Sequence, residues 1–148
     1  MPYPLPEPPR TDGTVRLRPW TPADAPALAA AWADEEIRRW TAVPADPTEA
    51  HARRWIGGAA LRRERGVALD LVVSPADPAD DTVLGEVGLV TMAGGPLRAE
   101  VGWWTAAAHR RQGVATRAVT LFAGWCAEVL GFELFAEVDP DNPASIWV

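Results

Sequence analysis

The sequence predicts one mixed α/β domain in which helices cover a sheet. Two observations lead to this prediction. A chain of 148 residues with 48% hydrophobic and 23% charged residues is typical of a single globular core. Stretches that alternate apolar and polar residues are also interleaved with stretches whose apolar residues recur every three or four positions. Strands and helices in that mixed order pack as layers around one core.

The first predicted elements follow a proline-rich arm, residues 1–13. Because prolines fix an extended backbone, we expect this arm to be loosely held. Residues 14–19 alternate valine and leucine with arginine, which predicts a strand with one buried face. Thr21 then caps a helix whose first position is Pro22, where a missing N–H does no harm.

A second helix is predicted to begin at Asp46. Its side chain and that of Glu49 form a variant of the capping box. Gly57 and Gly58 weaken the helix in the middle, and Gly66 ends it after several arginines.

The remaining chain predicts four strands and one long helix. The strands are expected at 68–73, 83–92, 97–104 and 134–138, and the helix, the clearest in the sequence, at 114–130. The turn Gly94-Gly95-Pro96 joins the second and third of these strands as an antiparallel hairpin. The helix then crosses between the last two strands.

The charged residues exclude several functions. All 14 basic residues are arginines, so the chain has no lysine for a Schiff base, a pyridoxal phosphate linkage or a GxxxxGK phosphate loop. A net charge of −6 argues against nucleic-acid binding and favours, weakly, a cationic or amine-bearing partner.

Cysteine, histidine and apolar runs indicate the compartment. Cys126 is the single cysteine, so we expect an inert packed thiol, and with two histidines we expect no metal site. The chain has neither a signal-peptide pattern nor an apolar run of membrane-spanning length. We therefore expect a cytoplasmic protein without a membrane partner.

The entry into the long helix predicts an anion site. It reads Arg110-Arg111-Gln112-Gly113-Val114-Ala115-Thr116. Glycine and small residues let a ligand approach the backbone, and first-turn N–H groups have no partner within the helix. Three arginines, at 110, 111 and 117, add positive charge to an otherwise acidic protein. A pyrophosphate fits this pattern.

This segment and the motifs around it resemble the GCN5-related N-acetyltransferase (GNAT) superfamily. Residues 110–115 satisfy the superfamily pattern. That pattern is Gln or Arg, then any two residues, then Gly, then any one residue, then Gly or Ala. Three further segments resemble the branch that includes ribosomal-protein alanine acetyltransferases. They are Glu-Val-Gly-Trp-Trp at 100–104, Asp-Asn-Pro-Ala-Ser at 141–145, and residues 15–20 with Asp24. The resemblance covers 14–148, which we take as the domain.

The resemblance implies a GNAT fold, with a mixed, mostly antiparallel sheet, and transfer of an acetyl group from acetyl-CoA to a primary amine. The acceptor would be a protein N-terminus or a small-molecule amine, attacking directly and without a metal. The cofactor-binding residues it implies are Gly102, Trp103, Trp104, Arg110, Arg111, Gln112, Gly113, Val114, Ala115, Thr116 and Asn142. Ser145 would give a proton to the departing thiolate, and Glu100, or as second choice Glu137, would take the proton of the ammonium.

Each of these residues also has a structural interpretation. Gly113 eases entry into a helix, Asn142 is a good N-cap before a proline, and a strand glutamate such as Glu100 is usually solvated. Strand alternation points Trp103 and Trp104 to opposite faces, so at least one is expected in the core.

The chain departs from the family after Asn142. Family members continue with a full helix and a β-hairpin, which we expect to be missing here. We therefore keep a second hypothesis, a CoA-binding or interaction module without turnover. We also expect the uncovered edge of the strand Leu134–Val138 to favour a homodimer.

Overall fold

The computed structural model describes residues 1–93, 98–131 and 133–148, and its sheet contains six strands in the order β1-β2-β3-β4-β5-β6. The strands are β1 Arg10–Thr11, β2 Val15–Pro19, β3 Ala68–Pro75, β4 Gly85–Thr91, β5 Arg98–Thr105 and β6 Glu133–Phe135. The helices are α1 Ala25–Ala33, α2 Glu35–Trp40, α3 Glu49–Gly57, α4 Ala59–Glu64, α5 Val114–Val129 and α6 Pro143–Ile146. This confirms the mixed α/β prediction.

The sheet is antiparallel except at its last pair. β5 and β6 run parallel, with Arg98 opposite Glu133 and Glu100 opposite Phe135. Parallel strands need a crossover connection, which α5 provides. The predicted helix between the last two strands is thus confirmed.

One face of the sheet packs against α5. Its core includes Leu71, Val87 and Leu89 from the strands. Phe122 of α5 is fully buried there and stacks on Trp125 with ring centroids 6.1 Å apart. Burying a phenylalanine side chain stabilises a fold by about 1.5–3 kcal/mol, so α5 is firmly held at its centre.

The opposite face of the sheet is covered by α1 and α3. Their buried side chains, Leu28, Trp32 and Ile56, surround Trp20 and Val72. The indoles of Trp20 and Trp55 meet edge to face at 6.0 Å. The sheet therefore separates two hydrophobic cores. Because adjacent strand residues point to opposite faces, Trp103 packs against the core under α5 and Trp104 against the core under α1 and α3.

The expectation of a loosely held N-terminal arm is wrong. Tyr3 is only 3% exposed, and its N–H donates to the Arg63 carbonyl at 3.0 Å. The Arg63 guanidinium donates in return to the Tyr3 carbonyl at 2.8 Å, and the phenol hydroxyl bonds to Thr91. Arg10–Thr11 adds an edge strand. The prolines extend the arm, and one buried aromatic ring anchors it.

The helical segments are more divided than predicted. A 3-10 turn at Pro22–Asp24 precedes α1, and α2, which was not predicted, begins after Asp34. The N-cap of α3 is Thr48 and not Asp46, because the Thr48 hydroxyl accepts from the His51 N–H at 3.2 Å. The expected weakness at the glycines is confirmed, since the helix breaks at Gly58.

The strand boundaries also differ. The expected strand 134–138 is observed as the shorter β6, because only Leu134 and Phe135 of that range, together with the preceding Glu133, find partners on β5. The alternation of residue types continues to Val138. β4 and β5 lie within two residues of the expected bounds. The predicted turn at 94–96 lies outside the described residues.

A buried ion pair fastens β2 to α1. Arg18 donates from both terminal nitrogens to the Asp24 carboxylate at 2.8 Å, and both side chains are 6% exposed. Arg18 also donates to the Ser74 hydroxyl at 3.0 Å. Burial alone would raise the pKa of Asp24, but the hydrogen bonds from Arg18 and Thr21 hold it below its ordinary value.

Candidate active site

The α5 N-terminus has the backbone of an anion site. Gly113 is the N-cap with φ +76°, and Arg111 also has a positive φ, 62°. Gly113 offers no side chain to cap the helix, so the first-turn N–H groups have no side-chain partner from this position. A Cβ at Gly113 would meet nothing within 4 Å, which shows open space in front of the turn. A ligand can approach this backbone closely.

Two of the three arginines near this turn are already paired. Arg110 lies 2.6 Å from Asp34, and Arg117 lies 2.8 Å from Asp12. Asp34 also caps α2 by accepting from the Ile37 N–H. Arg110 therefore joins the loop before α5 to the α1–α2 junction, and its charge is less available to a phosphate than expected. Arg111 is exposed.

The sheet opens beside this turn. In the part of the chain that the structure describes, β6 pairs with β5 only from Arg98 to Glu100. The stretch 101–105 of β5 is paired to β4 alone. Its other edge offers backbone N–H and C=O groups to an extended ligand.

A cleft of about 750 Å³ joins these features. That volume suits a cofactor-sized ligand. It brings together most of the predicted cofactor residues: Trp103, Trp104, Arg110, Arg111, Gly113, Val114, Ala115 and Thr116. Ser145 of α6 also lines it, whereas Gly102, Gln112 and Asn142 do not.

Asn142 holds Ser145 in place. Its side-chain oxygen accepts from the Ser145 N–H at 3.3 Å, and its Nδ2 donates to the Ser145 Oγ at 3.0 Å. Asn142 is thus the N-cap of α6, as its structural interpretation held. Because the Ser145 oxygen accepts this bond, its own O–H is left to donate elsewhere.

A second, smaller pocket of about 270 Å³ lies on the α1–α3 face of the sheet. It is lined by the aromatic residues Trp32, Trp55, Trp103 and Trp104, by the loop 41–44, and by the carboxylates Asp70, Glu86 and Glu100. Gly88 and Gly102, directly paired across β4 and β5, form its floor, and a Cβ at Gly102 would meet nothing within 4 Å. Trp103, Trp104 and Thr41 line both cavities, so the two cavities meet there.

Glu86 has the most unusual environment of these carboxylates. Its two oxygens accept hydrogen bonds from the indole nitrogens of Trp20, at 2.9 Å, and Trp104, at 3.2 Å. Burial and the negative charge of Asp70 raise the pKa of Glu86 to about 8. The two indole hydrogen bonds and the positive charge of Arg62 lower it, but by less. Burial likewise raises the pKa of Asp70, although Arg62 lies 3.6 Å away.

The predicted proton acceptors lie in different places. Glu100 lines the smaller pocket, but exposed Glu137 lies beyond β6 and lines neither cavity. The sequence did not point to Glu86 and Asp70 as site residues, because a single acidic residue in a strand usually has a side chain that faces solvent. The available signal was the strand register, since Glu86 pairs directly with Trp104.

Two further features concern ligands and membranes. No group of three metal-ligating side chains is arranged to hold an ion in the described ranges. Within the same ranges, every helix is too short or too polar to cross a membrane. Cys126 is fully buried, which raises the pKa of its thiol to about 12 and confirms the expected inert cysteine.

Comparison with known structures shows the same fold. RimJ of Mycobacterium smegmatis, solved with CoA-disulfide, is 21% identical with a TM-score of 0.78 over 91% of this chain and 67% of that one. The microcin C7 self-immunity acetyltransferase MccE, solved with acetyl-CoA and AMP, is 17% identical with a TM-score of 0.75. That match covers 93% of this chain and 76% of MccE. RimL, a ribosomal L7/L12 α-N-protein acetyltransferase solved with coenzyme A, is also 17% identical with a TM-score of 0.75. That match covers 93% of this chain and 78% of RimL.

The family is shown by sequence. No curated protein matches this chain. The model of the acetyltransferase (GNAT) domain family, however, matches residues 14–148, nearly the whole chain. The mixed sheet flanked by helices agrees with that match. The chain therefore belongs to the GNAT acetyltransferase family and is an acyltransferase by descent.

Proposed function

We propose that this protein is an N-acetyltransferase that moves the acetyl group of acetyl-CoA to a primary amine by direct attack. The observation that carries the proposal is the meeting of two cavities at Trp103 and Trp104. One is open enough for a cofactor and borders a helix N-terminus. The other is lined by carboxylates and indoles, a chemistry that suits a cationic amine.

The α5 N-terminus would hold the pyrophosphate of the cofactor. Backbone N–H groups from Arg111 to Thr116 would donate to it, and Gln112 belongs to this turn although it does not line the cleft. The helix dipole contributes about 0.3–1 kcal/mol at an exposed site and up to about 2 when partly buried. The fold-related RimJ and RimL structures, both solved with CoA species, support this cofactor.

The pantetheine arm would extend along the open edge of β5. Gly102, Trp103 and Trp104 lie in the stretch that β6 leaves unpaired. Main-chain hydrogen bonds from an added strand would orient the arm toward both cavities. Asn142 would contact it from α6.

The acceptor amine would enter through the carboxylate-lined pocket. One of its carboxylates, Glu100 in the proposal drawn from sequence, would remove a proton from the ammonium so that the amine can attack the thioester. Ser145 would then protonate the departing CoA thiolate, for which its free O–H is available. Glu137 is not supported by its exposed position.

The acceptor is proposed to be a protein N-terminus or a small-molecule amine, in the cytoplasm. The name of RimL supports the former. A net charge of −6 fits an amine-bearing partner and not a nucleic acid. We also propose that β6, at the end of the sheet, pairs with a second copy.

Calorimetry with acetyl-CoA, followed by thiol release in the presence of a panel of amines, tests the proposal. Binding together with amine-dependent thiol release is the expected result. Binding without release from any amine would favour the alternative, a CoA-binding module that keeps the fold without turnover.

A further inference from the structure

We infer that Glu86 is the carboxylate that binds the acceptor's ammonium group and removes its proton, and that the pocket selects a cationic amine carried on an apolar stem. This inference rests on the proposed acetyl transfer. It assigns to Glu86 the role that sequence alone gave to Glu100.

The position of Glu86 distinguishes it from Glu100. Glu86 is paired with Trp104, which lines both cavities together with Trp103 and Thr41, whereas Glu100 lies four residues before Trp104 along β5. At about 3.3 Å per residue, that places Glu100 roughly 13 Å along the strand from Trp104. Glu86 therefore lies beside the junction of the two cavities, where the thioester and the amine must meet.

Two indole N–H groups fix the Glu86 carboxylate. Trp20 donates to one oxygen and Trp104 to the other, so the group cannot rotate without losing a bond. Trp20 supports it from behind, because Trp20 does not line the pocket. A carboxylate oxygen accepts more than one hydrogen bond, so each keeps a position for the ammonium.

The rest of the pocket describes the acceptor. Trp32 and Trp55 meet edge to face at 6.2 Å and line it with Trp104. Indole faces attract cations and pack well against methylene groups. Arg62 stacks on Trp55 at 4.2 Å, so it covers part of that ring. An ammonium on an alkyl or aryl stem matches this combination of acids and indoles.

The charges around Glu86 suit proton transfer near neutral pH. Asp70 lies on β3, diagonally across from Glu86, a separation of about 7–8 Å in a sheet, while Arg62 on α4 faces both. Glu100 lines the same pocket from β5. The resulting pKa of about 8 lies close to the working pH, which is the condition for an efficient general base.

The step balances as follows. Ionised Glu86 takes one proton from R–NH₃⁺ and leaves the neutral amine, whose lone pair forms the N–C bond to the thioester carbonyl. When the C–S bond breaks, its electron pair goes to sulfur. Ser145 gives its proton to that thiolate. The attacking nitrogen, which lost its first proton to Glu86, then gives a second proton to Ser145, and the neutral amide remains. Glu86 then releases its proton to water.

Glu86→Gln tests the assignment, with Glu100→Gln as the matched comparison. The probe is an unbranched alkylamine, whose pKa lies near that of lysine, about 10.4. For the unchanged protein we expect kcat/KM to rise with pH with a midpoint near 8. Glu86→Gln should lower kcat/KM by about 10²–10⁴ and abolish this rise, whereas Glu100→Gln should keep it.

Two neighbouring substitutions should move the midpoint in opposite directions. Trp20→Phe removes a hydrogen bond that favours ionised Glu86, so the midpoint should rise. Asp70→Asn removes a negative charge that opposes ionisation, so it should fall. The indole N–H resonances of Trp20 and Trp104 should titrate near pH 8 and be insensitive to pH there in Glu86→Gln. Misfolding could not produce opposite shifts.

The outcomes separate the two proposals. If the unchanged protein acetylates no amine, the acetyl transfer is wrong and this assignment falls with it. If it acetylates amines but Glu86→Gln keeps the rate and the pH profile, or Glu100→Gln abolishes the rise, the assignment to Glu86 alone is wrong.

Discussion

The side-chain amide of Asn142 donates to the hydroxyl oxygen of Ser145 at 3.0 Å, at the border of the larger cleft. This bond occupies a lone pair of the serine and leaves its proton free to be donated. One short capping motif thus both begins α6 and orients the hydroxyl proposed to protonate the CoA thiolate.

Ser145→Ala should lower kcat by about 10²-fold, because general acid catalysis contributes at least that factor when the acid is well placed. Acetyl-CoA affinity should change little, since the substitution removes only one hydroxyl. Steady-state kinetics with calorimetry measures both. Ser145→Thr keeps the hydroxyl and should recover most of the rate, and full activity in Ser145→Ala would contradict the role.

Gly113→Val should remove most of the thermal stabilisation that acetyl-CoA gives. A bound ligand stabilises by RT ln(1 + [L]/Kd), about 2.7 kcal/mol at a hundredfold excess over Kd. A branched side chain is strained at φ +76° and blocks the approach to the helix terminus. Thermal denaturation with and without acetyl-CoA measures the loss.

Gly124→Ala is the matched control on the same helix. Gly124 is exposed within α5, and a Cβ there meets nothing within 4 Å. Alanine should stabilise the helix by about 0.5–1 kcal/mol and leave the acetyl-CoA shift intact. An unchanged shift in Gly113→Val would show that the pyrophosphate binds elsewhere.

Asp24→Asn should destabilise the fold by about 3–5 kcal/mol, because it removes the buried carboxylate that pairs with Arg18 and leaves only the exposed Asp81, 3.6 Å away, as its acidic partner. The pKa of Asp24 is lowered on folding. Its stabilisation is therefore fully present above its unfolded pKa, about 3.9, and is lost as the pH falls through the lower folded value. Urea denaturation across that acid range should show a larger loss in the unchanged protein than in Asp24→Asn, in which Asp12, Asp34 and Asp80 still have lowered pKa values.

The edge strand β6 should promote self-association. It ends the sheet order, and Ala136 just beyond it is exposed. Light scattering at increasing concentration should show a dimer, and Ala136→Lys should weaken it, because charges at an edge oppose strand pairing. A monomer at every concentration would rule out this interface.

The start of α5 that borders the larger cleft could be predicted from sequence because its signals are local. Gly113 and the apolar stripe of α5 define a helix start within a few residues. Strand alternation alone separated Trp103 from Trp104. The same holds for the break at Gly58, which follows from helix propensity.

The rest depends on contacts between distant parts of the chain. Glu86 and Trp20 are 66 residues apart, and Arg117 and Asp12 are 105 apart. Local patterns carry no record of such pairs, so the carboxylate pocket and the neutralised arginines emerged only from the folded sheet.

A single-turnover reaction tests the acetyl transfer most directly. The purified chain is mixed with an equimolar amount of acetyl-CoA and an alkylamine, and mass spectra of the amine and of the protein are followed over time. We predict that the acetyl group appears on the amine as CoA thiol is released, with no acetylated protein on the way. Intact acetyl-CoA beside unmodified amine, or an acetyl group that stays on the protein, would contradict it.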